Sequence, residues 1–175
     1  RLTLILTNMS EATRLEQMLQ TSEKEKIDLA TAINGCVEGY RLAYPDFTLV
    51  SDIEGPVKIL GVPEYIAQLM DKLIANAVEF TYPGRPISIY CHTVREQAVV
   101  KVSNFGPYLP EAMKGRLFDS MISVRPKEKQ RQPHLGIGLH IARLVTEFHH
   151  GQIRAENLRD AEGVTIILTI PLLEE

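Results

Sequence analysis

Two pairs of short segments with alternating apolar residues constrain the fold of this chain more than any other feature. Residues 87–94 and 98–103 carry apolar side chains at alternate positions, and only the polar residues 95–97 separate them. Residues 152–157 and 164–171 repeat the pattern. Alternation of period two puts the apolar side chains on one face of a strand, and short polar connections join antiparallel neighbours. The sequence therefore predicts two β-hairpins, each with an apolar face that another layer must cover.

Apolar residues spaced three and four apart predict helices that can supply this layer. The strongest helical pattern covers residues 64–81 and follows Pro63, a residue type favoured at helix starts. A second helix is expected over residues 27–44, with Asp28 as its start signal. A third is expected over residues 139–149, with Gly151 as its C-cap. The other expected elements are a long helix over residues 2–20, strands over 47–53 and 57–60, and a short helix over 111–118.

This order of elements predicts an α+β protein in which strands come in hairpin pairs separated by helices. We expect a two-layer α/β sandwich: a mixed sheet covered by helices on one face and preceded by a long N-terminal helix. The charged residues 21–26 resemble a junction, which divides the chain into an N-terminal unit, 1–24, and a main domain, 25–175. Because the chain begins at Arg1 in mid-pattern, we expect it to be part of a longer protein.

Composition narrows the classes of function. The chain of 175 residues has a formal net charge of −3, whereas a nucleic-acid surface would require a basic excess. Cys36 and Cys91 lie too far apart for a metal-ligand motif, and neither belongs to a disulfide framework. No apolar run reaches the roughly 20 residues that span a bilayer. We therefore expect a globular domain that does not bind nucleic acid, with any membrane contact made through segments outside this sequence.

A glycine pair stands at the start of the third helix. Free backbone N–H groups at a helix start, together with the helix dipole, form a site that favours anions. A glycine there allows a bulky anion to approach the backbone. Gly136-Ile137-Gly138-Leu139 therefore suggests a phosphate cradle, although a plain turn is the commoner reason for such a pair. It is not a P-loop, because no Lys-Ser/Thr follows.

Two asparagines stand out for different reasons. Asn76 lies in the middle of a strong helical pattern, where asparagine is mildly unfavourable, and its oxygen is a ligand type that Mg²⁺ prefers. Asn104 follows a strand and precedes Gly106, and a carboxamide in such a position can read the edge of a purine, although a turn asparagine is the commoner explanation. The structural alternatives are a buried helical asparagine bonded to the backbone and a turn asparagine that caps its own loop.

Taken together and in order, these segments resemble the ATP-binding domain of sensor histidine kinases, within the wider Bergerat-type (GHKL) fold. LIANAVEFT, residues 73–81, resembles the asparagine box of that family. Asn104-Phe105-Gly106 stands at the first glycine box, LFDSM at the phenylalanine box, and GIGLHIARLV, residues 136–145, at the second glycine box. The resemblance covers about residues 28–172, and MSEATRLEQML resembles the second helix of the family's dimerisation and phosphotransfer hairpin.

The resemblance implies a role for each matching residue. Asn76 would hold Mg²⁺, and Phe80 would lie against the adenine of ATP. Asn104 would recognise the adenine amino group, and Gly106 would allow the base to approach the backbone. Residues 119–135 would form the ATP lid, with Arg125 as a γ-phosphate contact. Gly136, Gly138 and Leu139 would belong to the phosphate cradle, with N–H groups offered by the two glycines.

Several positions depart from the family's pattern. Asn104 stands in place of the usual aspartate, Tyr108 in place of a glycine, and Glu79 where a basic residue is common. Lys72, one helical turn before Asn76, occupies the position at which hydrolytic relatives of the fold carry a glutamate that activates water. A lysine there favours neutralisation of phosphate charge, although a solvated lysine is an equally good explanation.

The resemblance implies a protein histidine kinase domain that transfers the γ-phosphate of ATP to a histidine. None of the five histidines lies in the family's H-[ED]-x-x-[TN]-P setting, so the acceptor helix would precede Leu2. No catalytic residue is assigned. The implied partners are a second subunit, through a four-helix bundle, and a response regulator; the implied location is cytoplasmic, in an inner-membrane-anchored sensor. The alternatives are a degenerate scaffold that has lost kinase activity and a GHKL ATPase.

Overall fold

The computed structural model describes residues 2–119 and 137–174. The helices are α1 (Leu2–Thr21), α2 (Leu29–Ala43), α3 (Pro63–Phe80) and α4 (Ile137–Phe148), with one short 3₁₀ turn at Glu111–Met113. The strands are β1 (Glu25–Asp28), β2 (Leu49–Ile53), β3 (Lys58–Gly61), β4 (Ile87–Val94), β5 (Gln97–Asn104), β6 (Gln152–Asn157) and β7 (Val164–Pro171).

Five strands form one mixed sheet in the order β2-β4-β5-β7-β6. Strand β2 runs parallel to β4, and all the other pairs are antiparallel. Both predicted hairpins, β4–β5 and β6–β7, are present, and in the first of them Ile87 pairs with Asn104. This register places Asn104 at the last position of β5, where the strand gives way to the loop that contains Gly106.

Helices α2, α3 and α4 pack on the apolar face of this sheet, as the sequence predicts. The alternating positions Ile87, Ile89 and Cys91 of β4 are fully buried beneath them. Helix α3 lies centrally and contacts α2, α4 and β5. Its buried residues are Tyr65, Ile66, Leu69, Met70, Leu73, Ile74 and Ala77. Burial of this broad apolar stripe fixes which face of α3 remains for binding.

The expectation of hairpin pairs throughout is wrong for β2 and β3. Strand β3 pairs antiparallel with β1 in a separate two-stranded sheet, with Ile27 opposite Ile59. Residues 25–28, expected to be a charged junction and a helix start, form β1. Helix α2 then begins at Leu29, and Asp28 is its N-cap, as expected.

Asp28 caps α2 and ties it to the segment before β3. Its Oδ1 accepts hydrogen bonds from the backbone N–H groups of Ala30, at 3.1 Å, and Val57, at 2.9 Å. Burial acts to raise the pKa of this carboxyl, but hydrogen bonds from Val57, Thr31 and Ala30 outweigh it and lower the pKa below its ordinary value. The charged carboxylate is therefore the form that the folded chain favours.

Two local predictions need correction. Residues 111–118 do not form a helix: only the 3₁₀ turn Glu111–Met113 and further turns are present, because Pro110 and Gly115 limit the segment. At the end of α4, His150 rather than Gly151 adopts the left-handed conformation, with φ 59°. Gly151 instead lies against β7, since a Cβ on it would stand 2.2 Å from the Thr169 carbonyl oxygen.

Helix α1 packs against α4, with Ala12 and Leu15 buried in the contact region. Immediately after the helix, Ser22 Oγ lies 2.6 Å from the hydroxyl oxygen of Tyr65 on α3. The second half of α1 thus docks on the helical layer. Among the described helices, none combines the length and the apolar character needed to cross a membrane.

Candidate functional site

Three predicted site residues lie one helical turn apart on α3. Lys72, Asn76 and Phe80 are separated by four residues each, so they share one side of the helix, and all three are half-buried. The adjacent residues Leu73 and Ala77 are buried in the core, which fixes the helix rotation. The polar groups of Lys72 and Asn76 therefore lie along the edge of the apolar stripe, within reach of solvent.

The C-terminal end of α3 touches the loop after β5. The Tyr82 N–H donates to the Phe105 carbonyl at 2.7 Å, and a Cβ on Gly106 would stand only 2.2 Å from the Phe80 carbonyl oxygen. No side chain fits there without movement of the backbone. The structure thus brings Phe80, Asn104 and Gly106 together and gives Gly106 a steric reason to be glycine.

The opposite end of the α3 stripe faces the start of α4. A Cβ on Gly138 would lie 3.6 Å from Lys72 Cδ, which is an ordinary packing distance. Contacts with the described residues therefore do not require a glycine at position 138, in contrast to Gly106. Leu139, the next residue, is buried and anchors the first turn of α4 to the core. The packing of the described residues thus gives no reason for a glycine at position 138. The close approach of a ligand to the backbone would give such a reason.

Together these residues define a strip of surface along one side of α3, between the start of α4 and the loop after β5, which we call the groove. Lys72 marks the end near Gly138, Phe80 marks the end near Gly106, and Asn76 lies between them. Of the predicted site residues, Gly136 and Arg125 lie outside the described part of the chain, as do residues 120–135 of the expected lid. Asp119, the first lid residue, accepts a hydrogen bond from Arg143 Nη1 at 3.1 Å.

Asn104 is only 5 % exposed, although it carries a polar carboxamide. Its Nδ2 lies 3.0 Å from the place that a Gly106 Cβ would take, so the carboxamide borders the groove. Within residues 2–119 and 137–174, no hydrogen bond joins this carboxamide to another residue. Buried polar groups normally have partners, so the donor and acceptor of Asn104 are available to a ligand.

Thr81 is a site candidate that the sequence analysis did not single out. It follows Phe80 directly, and its Oγ1 is buried without a hydrogen-bond partner in the described structure. The only sequence signal was its position at the end of LIANAVEFT. Thr81 therefore adds, directly after Phe80, a second polar group without a partner among the described residues.

Lys72 has a partner that the sequence analysis did not predict. Its Nζ lies 3.1 Å from Glu11 Oε1 on α1, and the side chains are 27 % and 40 % exposed. The lysine at the Gly138 end of the groove is thus shared with the N-terminal helix. Sequence spacing gives no indication of this pair, because it depends on how α1 docks.

The described histidines serve structural roles where their contacts are defined. His149 is 3 % exposed; its Nδ1 donates to the Val145 carbonyl at 2.7 Å, and its Nε2 accepts from the Val62 N–H at 3.2 Å. Burial lowers its pKa, against the raising effect of the Val145 carbonyl. His92 lies 2.8 Å from Asp52 Oδ1 near the sheet edge. No cluster of metal-binding side chains occurs in the described ranges.

The chain is similar in sequence to a known protein family and to sensor kinases. Residues 61–174 match the family described as "Histidine kinase-, DNA gyrase B-, and HSP90-like ATPase". The probable sensor kinase SilS of Salmonella typhimurium is 31% identical over 123 residues, 69% of this chain and 24% of SilS. The sensor histidine kinase CusS of Escherichia coli (strain K12) is 26% identical over 182 residues, 95% of this chain and 37% of CusS.

A solved structure gives the same result. The nucleotide-free catalytic domain of histidine kinase ThkA is 25% identical to this chain, with a TM-score of 0.70, and the match covers 86% of this chain and 96% of that one. The chain spans only 24% of SilS and 37% of CusS, so it corresponds to a part of these relatives. The fold predicted from the sequence is confirmed.

Proposed function

Because the chain belongs to the histidine kinase-, DNA gyrase B- and HSP90-like ATPase family, we propose that it is the ATP-binding catalytic domain of a two-component sensor histidine kinase. The observation that carries the proposal is the groove along α3. One end lies at Gly138, the other lies at Gly106, and Asn76 stands midway. Such a groove suits an extended ligand with a phosphate end and a base end.

The triphosphate is placed at the Gly138 end. The first turn of α4 offers backbone N–H groups and the positive end of the helix dipole, and Lys72 adds a full positive charge beside it. The adenine is placed at the other end, where Gly106 leaves room beside Phe80 and where Asn104 and Thr81 have unused hydrogen-bonding capacity. Gly136 is also proposed to belong to the phosphate cradle, and Arg125 is proposed to contact the γ-phosphate.

Asn76 is proposed as the protein ligand of Mg²⁺. A single carboxamide oxygen at a half-buried position fits this ion, which keeps most of its coordination from water and nucleotide phosphates. Glu79 stands one residue before Phe80 and is also half-buried. The ion, when bound, would screen the phosphate charges that otherwise oppose attack by a nucleophile.

The proposed reaction transfers the γ-phosphoryl group of ATP to an imidazole nitrogen, so that an N–P bond forms as the bond to ADP breaks. Such transfer depends on positioning and charge neutralisation rather than on covalent help from the protein. Lys72 and the α4 amides supply neutralisation, and Asn104 with Gly106 fixes the base. The histidine belongs to a helix outside residues 1–175.

Two alternatives are less well supported. A hydrolytic ATPase requires a group that activates water, and the charged ammonium of Lys72 cannot accept the proton. A degenerate scaffold would require the groove to be lost. The departures that favour it are Asn104, Tyr108 and Glu79, and of these the Tyr108 side chain is 52 % exposed, so it does not fill the groove as a buried side chain.

The remaining proposals concern the parent protein. Residues 1–24 are proposed as the second helix of a dimerisation hairpin and residues 25–175 as the catalytic domain. The intact protein would form a homodimer through a helical bundle, pass its phosphoryl group to a response regulator, and place this domain in the cytoplasm below an inner-membrane anchor. The relatives' names support the part of this proposal that makes the parent protein a sensor kinase.

Titration calorimetry with ATP and Mg²⁺ tests the proposed function. The wild-type chain is expected to bind, and Asn76→Ala is expected to weaken binding at least tenfold through loss of the metal ligand. Asn34→Ala, which changes an exposed asparagine on α2, serves as the matched control. Equal heats for the wild type and Asn76→Ala would remove the metal assignment, and no heat for the wild type would remove the nucleotide site.

A further inference from the structure

The base end of the groove contains groups that donate and accept hydrogen bonds equally well. The carboxamide of Asn104 carries one acceptor oxygen and two N–H donors, and the hydroxyl of Thr81 also serves in both senses. Neither group is committed to a hydrogen bond within residues 2–119 and 137–174. Contacts among the described residues therefore do not fix the hydrogen-bonding pattern that this end offers.

The two purines differ in their demands at this edge. Adenine presents an amino donor at C6 beside an acceptor at N1, whereas guanine presents an acceptor at O6 beside an N–H donor at N1. A carboxamide pairs with adenine through its oxygen at C6 and its nitrogen at N1. Rotated by 180°, the same carboxamide pairs with guanine through its nitrogen at O6 and its oxygen at N1.

The surroundings of Asn104 do not select one of these orientations. An amide orientation is normally determined by the hydrogen bonds that surround it. Asn104 is 5 % exposed but lacks such bonds to the described residues. On the groove side, its Nδ2 lies 3.0 Å from the place that a Gly106 Cβ would take. Hydrogen bonds to the described residues therefore do not fix either orientation of the carboxamide.

A carboxylate at the same position would behave differently. An ionised aspartate only accepts hydrogen bonds, so it pairs with the C6 amino group of adenine or with the N1–H of guanine and repels the acceptor beside it, N1 of adenine or O6 of guanine. The asparagine removes that repulsion and adds a donor for either base. We propose that the site binds guanine nucleotides as well as adenine nucleotides, with affinities within about tenfold of each other. This inference rests on the proposed nucleotide site, and it defines the class of base that the site accepts.

The test is to measure dissociation constants for ATP, GTP and CTP in the presence of Mg²⁺, with the wild type and Asn104→Asp. The wild type is expected to bind ATP and GTP within about tenfold and CTP more weakly. Asn104→Asp is expected to weaken both ATP and GTP by about tenfold or more, because it turns a bidentate base contact into a single hydrogen bond beside a repelled acceptor.

Ser103→Ala is the matched control. Ser103 precedes Asn104 on β5, and its hydroxyl donates to Thr165 Oγ1 at 2.8 Å on the other face of the strand, away from the helical layer. This variant is expected to keep the wild-type affinities for both nucleotides. Circular dichroism and the melting temperature check that each variant is folded. If Asn104→Asp does not fold, Asn104→Ala replaces it and is expected to weaken ATP and GTP by similar factors.

Each possible result either supports or overturns the inference that the site binds both purines. ATP binding by the wild type with GTP weaker by clearly more than about tenfold overturns the inference and leaves the proposed function intact. Unchanged affinities for both nucleotides in Asn104→Asp also overturn it, as does a loss of ATP binding alone in Asn104→Ala. Absence of ATP binding by the folded wild type refutes the proposed function and the inference together.

Discussion

The ammonium nitrogen of Lys72 on α3 lies 3.1 Å from a carboxylate oxygen of Glu11 on α1, so the N-terminal helix holds a residue from the edge of the proposed nucleotide groove. The same lysine packs beside Gly138 at the start of α4. Phosphates bound there would compete with Glu11 for its charge. Nucleotide binding and the docking of α1 are therefore expected to influence each other.

The variant Glu11→Gln tests this competition. Removal of the carboxylate leaves Lys72 without its ion-pair partner, so phosphate binding no longer requires that ion pair to be broken. Partly exposed ion pairs contribute about 0.2–1 kcal/mol, which corresponds to a gain in ATP affinity of about 1.4- to 5-fold. Calorimetry measures the gain, and Glu16→Gln, at an exposed position of α1, is the control. If Glu11→Gln binds ATP as tightly as the wild type or more weakly, while Glu16→Gln binds like the wild type, the competition is contradicted.

The two site glycines are expected to respond in opposite ways to alanine. Gly106→Ala places a Cβ 2.2 Å from the Phe80 carbonyl oxygen, and overpacking of this kind costs about 1–3 kcal/mol of unfolding free energy. Gly138→Ala meets Lys72 at an ordinary 3.6 Å and should leave stability unchanged or slightly higher. Urea unfolding curves measure both effects.

Gly138→Ala should nevertheless weaken ATP binding, because its Cβ stands where the phosphates approach the α4 amides. Calorimetry on the folded variant is the measurement. Stable Gly138→Ala with undiminished ATP affinity would show that position 138 has no part in phosphate binding. A Gly106→Ala variant as stable as the wild type would show that the loop after β5 is not held against α3.

His149 is expected to make stability depend on pH. Burial lowers its folded-state pKa below the ordinary value of 6.5, so the unfolded chain binds the proton more readily. This contribution to the unfolding free energy is complete above about pH 6.5 and is lost as the pH falls through the lowered pKa. Protonation of Nε2 also removes the acceptor for the Val62 N–H.

Urea unfolding of the wild type and His149→Gln between pH 5 and 8 measures this effect. The wild type should lose stability toward pH 5, and His149→Gln should be less stable at pH 8 with a smaller slope. His150→Gln, which changes the exposed neighbour, should keep the wild-type slope. Identical slopes for the wild type and His149→Gln would assign the pH dependence to other groups.

The sequence predicted those parts of the fold that depend on local periodicity. The β4–β5 and β6–β7 hairpins follow from alternation and connection length, and α3 follows from its apolar stripe. Strand β1 was missed because it has only four residues, and Glu25 and Lys26 are exposed on it, as they would be in a linker. Its pairing with β3 is a contact distant in sequence.

The site residues likewise divide into those that sequence motifs indicate and those whose contacts depend on packing. The resemblance brought Asn76, Asn104 and Gly106 forward, because their motifs keep a fixed order along the chain. The Glu11–Lys72 pair was not predictable, since it requires α1 to dock through Ala12 and Leu15 in a particular rotation. The unpartnered hydroxyl of Thr81 was equally hidden, because only the packing around it reveals that it lacks a partner.

A crystal structure with Mg²⁺ and a non-hydrolysable ATP analogue would show whether the groove along α3 holds the nucleotide. We expect the triphosphate at the start of α4 beside Gly138 and Lys72, the metal within coordination distance of Asn76 Oδ1, and the base beside Asn104 and Gly106. A nucleotide bound elsewhere on the chain, or a groove filled by the protein's own side chains at saturating analogue, would contradict this expectation.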